Sequence, residues 1–154
     1  MLIASAIQPI LENAELRENV SQLMGSIYRE LDMTIGQVQS TCQSCKKCCD
    51  FAQSGLNLFV SNLELAYFVM NVPPAKTIPA GRCPYLDAER GCTVREFRPI
   101  GCRTYFCTPP KDYDEQTLYE NAIGQVKRFI ESNRLAYGYI EWLKGLSEFT
   151  NSPR

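Results

Sequence analysis

Ser61-Asn-Leu-Glu-Leu-Ala-Tyr-Phe-Val-Met-Asn-Val-Pro-Pro74 decides the class of fold. Ser61 and Glu64 have the spacing of a capping box, in which each side chain satisfies the other end's free amide. Leu65, Ala66, Phe68 and Val69 follow as an apolar face. Pro73-Pro74 then stops the helix, because proline has no N–H to continue the ladder. The pattern predicts a helix over 61–71 with its start and stop both written into the chain.

Upstream, the same helical period dominates. Ala6, Ile7, Ile10, Leu11 and Ala14 share one stripe, and Leu16, Val20, Leu23, Ile27, Leu31 and Val38 continue it. The reading is helical over 6–39, as one bent helix or two, with Gly36 as a marker of a break. Downstream, Thr93 and Glu96 suggest a short turn over 93–98, stopped by Pro99. Asp112 with Glu115 predicts a cap for a helix over 114–133, whose stripe is Leu118, Ala122, Val126, Phe129 and Ile130. Tyr137, Ile140, Trp142, Leu143, Leu146 and Phe149 suggest a last short helix, with the aromatics as packing residues. Only Leu56–Val60 reads as extended. There is no internal repeat and no low-complexity stretch.

The expected fold is therefore mainly α: a small single-domain helical protein with a loop-rich, Cys-ligated middle. Its 154 residues suit one domain, and 45% hydrophobic against 21% charged residues is ordinary globular composition. The expected division is an N-terminal helical segment over 1–41, a cysteine-cluster core over 42–107 and a C-terminal helical segment over 108–154.

All eight Cys fall in the middle segment, and the chain has no His. The missing His excludes a His-based triad, a His general base, a Cys₂His₂ finger and a two-His facial triad. The first group is Cys42-Gln-Ser-Cys45-Lys-Lys-Cys48-Cys49. The second is Cys83, Cys92, Cys102 and Cys107. A C-x₂-C step lets two sulfurs converge on one ion, and two overlapping steps give three convergent sulfurs. Adjacent Cys48 and Cys49 point apart on either helix or strand, so they suit different sites or one larger cluster. Two four-sulfur centres are the resulting expectation, with zinc and iron–sulfur both compatible and a four-iron, four-sulfur cluster the leading iron option. Soft thiolates suit Cu(I) as well. Disulfides or a metal-free thiol function fit the spacing less well, and no His is present to activate a thiol.

The net charge is −1, yet the stretch from Cys42 to Cys107 carries eight basic and five acidic residues, leaving it at +3. Such an excess suits a segment that balances thiolate-bound metal. Arg82, Arg98 and Arg103 flank the second cysteine group and are candidates to donate hydrogen bonds to sulfur. Pro84, Pro99 and Gly101 shape the loops, and Gly91 suits a tight turn before Cys92. The balance predicts no nucleic-acid partner. The first residues lack the basic start and unbroken apolar run of a signal peptide, and no apolar run could span a bilayer. The expectation is a cytoplasmic chain with reduced thiols, metal ions as partners and a protein partner left open.

The motifs together resemble one family. C-x₂-C-x₂-C-C at 42–49, Cys83-Pro-Tyr-Leu86, Gly91-Cys92, Arg98-Pro99 and Cys102-Arg103 occur in the order of the YkgJ-type cysteine-cluster family, described as zinc- or iron-chelating. The match spans 42–107, and Tyr137–Trp142 resembles the ending of some members. Cys107 falls outside the minimal pattern. The resemblance implies metal binding by these cysteines and no particular reaction. Flagellin lysine methylases carry a similar cluster, but no glycine-rich cofactor loop accompanies it here. The functional alternatives are a structural or electron-transferring metalloprotein, a metal-dependent enzyme or accessory, and a metal storage or delivery protein.

Overall fold

A computed structural model describes residues 3–38 and 49–150. Cys42, Cys45 and Cys48 lie outside the described residues. The chain opens with two helices, α1 (Ile3–Leu11) and α2 (Ala14–Gly36). The break falls at Asn13, well before Gly36: the Asn13 side chain accepts the Leu16 amide at 3.0 Å and starts a new helix. Gly36 is the last residue of α2, so it marks the end of the stripe.

A single turn, α3 (Phe51–Ser54), precedes strand β1 (Phe59–Ser61) and helix α4 (Asn62–Asn71). The capping box at the start of α4 is complete in both directions, as its sequence predicts. A small hairpin follows, β2 (Leu86–Asp87) with β3 (Gly91–Cys92). Gly91 takes φ +78°, a turn conformation open to glycine at little cost. Next come a 3-10 turn at Arg95–Phe97 and helix α5 (Ile100–Thr104). Thr93 does not cap that turn, because its hydroxyl donates to the Tyr85 carbonyl at 2.7 Å.

Helix α6 (Glu115–Ser132) is capped by Asp114 instead of Asp112: the Asp114 carboxylate accepts both the amide and the hydroxyl of Thr117, at 3.0 and 2.7 Å. The tail divides into strand β4 (Tyr139–Glu141) and helix α7 (Trp142–Thr150). Residues 139–141 therefore belong to a strand and not to the last helix. The cause is a partner: β4 pairs antiparallel with β1, and Asn62 exchanges hydrogen bonds with Gly138, donating its amide at 2.9 Å and accepting at 3.2 Å.

The result is a mainly α chain with, among the described residues, two short two-stranded ribbons. One core collects Ile7 and Ile10 of α1, Val20, Met24 and Ile27 of α2, Leu63, Leu65 and Phe68 of α4, Val126 of α6, and Trp142 and Leu146 of α7. Cys83 belongs to the same core, so the cysteine region packs onto the helices that flank it. Among the described residues no helix is long and apolar enough to cross a membrane.

Helix α4 occupies the centre, and its Glu64 is only 1% exposed. One carboxylate oxygen accepts the Ser61 amide at 2.7 Å, and the other accepts the Ile100 amide at 2.8 Å. The first bond caps α4, and the second ties the start of α5 to it. Burial pushes the Glu64 carboxyl up despite these donors. A raised carboxyl binds its proton more tightly when folded, so its contribution is greatest in acid and is lost as pH climbs through the glutamate range. Glu64→Gln offers one acceptor for two amides and is expected to cost about 1–3 kcal/mol. Urea unfolding of wild type and variant at several pH values checks both points: the wild-type advantage should shrink as pH rises from the ordinary glutamate value toward neutrality.

Candidate metal centre

The two cysteine groups meet through the backbone. The Cys83 amide donates to the Cys49 carbonyl at 3.0 Å, and the Ala52 amide donates to the Gly81 carbonyl at 2.9 Å. Between them Asp50 and Arg82 form an antiparallel bridge. Local chemistry sets this up: Asp50 caps α3 by accepting the Gln53 amide at 3.2 Å, which turns the chain after Cys49. Cys49, the last member of the first group, is thus held against the first member of the second.

The Cys83 sulfur lies at the edge of the core. The Trp142 indole N–H donates to it at 3.4 Å. Burial pushes the Cys83 thiol up, opposed by the indole N–H and the Tyr85 main chain and reinforced by nearby Cys92. The hairpin brings Cys92 close by pairing it with Leu86, and the Leu86 amide closes a turn on the Cys83 carbonyl at 3.2 Å. The Tyr85 carbonyl accepts both the amide and the hydroxyl of Thr93, so this turn is fixed on both sides.

Cys102 is half-buried on α5. α5 can sit close to β1 because Gly101 has no side chain: a Cβ there would come within 2.8 Å of the Leu58 side chain. Arg98 lies where its charge acts on both Cys92 and Cys102. Its own affinity for a proton is lowered by burial first, then by Arg95 and Arg103. Cys107 is exposed, beyond α5. Among the described residues no three Cys, Asp or Glu side chains converge on one point. The described sulfurs stand as neighbours, Cys83 with Cys92, and Cys92 and Cys102 about Arg98, with Cys49 joined to Cys83 by the main chain.

The other flanking arginines do different work. Arg82 reaches the Leu86 carbonyl at 3.4 Å. The Arg103 side chain is 2% exposed, and its Nη1 donates to both Asp32 oxygens, at 2.8 and 2.6 Å. It also donates to the carbonyls of Arg98 and Glu96 and lies 3.9 Å over the Tyr28 ring. Arg103 therefore bolts α5 and the 95–98 turn to α2. Part of the segment's basic excess is matched by a carboxylate outside the segment.

Trp142 is the participant that spacing alone assigns purely to packing. Its amphipathic position predicts burial but gives no sign of a sulfur 59 residues away. No family model, curated protein or solved structure matches the chain.

The Arg103 bolt is asymmetric, because the Asp32 side chain is 54% exposed. Arg103→Ala leaves buried carbonyls without donors and is expected to cost about 2–4 kcal/mol. Asp32→Asn leaves the arginine its carbonyl partners and an amide oxygen on a half-exposed side chain, and should cost less than Arg103→Ala. Chemical denaturation of the two variants checks the order.

Proposed function

We propose that the chain is a small metalloprotein that retains zinc or an iron–sulfur cluster through its clustered Cys thiolates, in line with its resemblance to the YkgJ-type cysteine-cluster family. The observation that carries this reading is the Cys83 sulfur, buried and met by the Trp142 indole N–H. Sulfur is a weak acceptor as a thiol, so an inert core cysteine has no need of such a donor. A thiolate bound to a metal does, and such donors around ligand sulfurs hold and tune the ion.

Cys83 and Cys92 would supply sulfur from the hairpin, Cys49 from its paired backbone and Cys102 from α5. Cys42, Cys45 and Cys48 would supply it from the chain leading into Cys49. Cys107, exposed and outside the family pattern, is the weakest candidate. When bound, zinc would cross-link these segments, and a cluster would add one-electron transfer. Burial of Cys83 favours retention over delivery, since a carrier needs sulfurs from which the ion can leave.

Anaerobic purification with zinc, iron and sulfide analysis tests the proposal. The expected result is bound metal that is lost in Cys83→Ser. Iron with sulfide and a brown colour would select the cluster, and zinc in a colourless sample the structural ion. A chain carrying neither zinc nor iron overturns the reading. Metal removal should make 42–107 outside α4 the first segment cut in limited proteolysis, because ligation contributes to folding where few apolar residues lie outside that helix. Equal cutting of α2 or α6 would contradict that.

A further inference from the structure

We propose that Trp142 is a positioning residue for the ligand sulfur of Cys83, holding it in place and withdrawing charge from it through the indole N–H. The proposal rests on the metal-binding reading and adds to it a residue outside the cysteine pattern. Both groups are buried, Trp142 at 2% and Cys83 at 9% exposure, and the bond spans 3.4 Å. No solvent competes for it.

The indole is fixed from three sides. Its backbone amide donates to the Leu58 carbonyl at 2.8 Å, which continues the pairing of β1 with β4. The Glu141 carboxylate accepts the amides of Leu143 and Lys144, at 3.1 and 2.9 Å, and so starts α7 at this residue. Phe68 meets the indole edge-on, with ring centres 4.8 Å apart at 83°. The same Phe68 meets the Tyr85 ring at 5.1 Å and 67°. One side chain of α4 therefore braces both the indole and the tyrosine that follows Cys83 by two residues.

A buried indole N–H needs an acceptor, and a nearby thiol could serve merely by proximity. The framing of the indole argues otherwise: β4, the Glu141 cap and Phe68 fix it independently of this bond, and its N–H still ends on the sulfur. An N–H held on sulfur in this way matches a thiolate, which accepts strongly, better than a thiol, which accepts weakly. Donors of this kind around metal ligands orient them, and their loss typically costs about 10-fold to 100-fold in metal affinity.

The chain has one Trp, so replacing tryptophan throughout with 3-benzothienylalanine changes this position alone. That residue keeps the shape of the indole and substitutes sulfur for the N–H. Trp142→Phe is the genetic counterpart. Three quantities are measured: metal content as purified, the rate of metal loss to EDTA, and the urea midpoint of the metal-free chain. The expected result is unchanged content, loss about 10-fold faster, and an unchanged metal-free midpoint for the benzothienyl protein. An unchanged loss rate overturns the proposal while leaving the metal reading intact. Faster loss with a matching fall in the metal-free midpoint also overturns it, because the indole would then serve only packing. Unsubstituted protein without zinc or iron overturns the metal reading and this proposal with it, and its own metal analysis tells that case apart.

Discussion

The structure hangs on a carboxylate placed where a carboxylate is expensive. Glu64 has given up its water, and burial opposes its charge. Two backbone amides compensate by donating to it, one from the start of its own helix and one from the start of α5. An apolar residue at this point would leave both amides unpaired inside the core. Because the second amide belongs to Ile100, the placement of Cys102 and Arg103 follows from Glu64. One turn further along α4, Phe68 braces Tyr85 and Trp142. A single central helix thus sets the positions of α5 at one end and of the Cys83 surroundings at the other.

Elements defined by neighbouring residues were legible in the sequence. The capping box of α4, its stop, the α6 stripe and the turn at Gly91 all depend on contacts a few residues apart. Caps were legible as a type of residue, but the choice between Asp112 and Asp114 depended on the reach to Thr117. The strand at 139–141 was hidden because its apolar spacing also fits a helix, and only pairing with Phe59–Ser61 settles the matter. For the same reason Glu64 was readable as a cap, whereas its bond to Ile100 was not.

The cysteine region shows the same boundary between near and far. Gly91 marked the tight turn before Cys92, and spacing divided the cysteines into two groups along the chain. It could not show that Cys49 and Cys83 lie on paired backbones, or that an indole from the tail reaches Cys83. Charge counting was coarser still. Arg103 looks like a partner for sulfur because it follows Cys102, yet its several N–H groups are shared between one carboxylate and nearby carbonyls. Its match is Asp32, on a helix with more acidic than basic residues.

The pairing of Cys49 with Cys83 also has an entropic consequence. Joining two points of a flexible chain about 34 residues apart costs about 3 kcal/mol in loop closure, beyond a constant term. Here that closure is made by backbone hydrogen bonds and by the burial of Cys83 in the core. A ligand bridging the two ends meets them already joined. Its binding free energy is left for the bonds it forms, and its affinity is correspondingly less dependent on the length of the intervening chain.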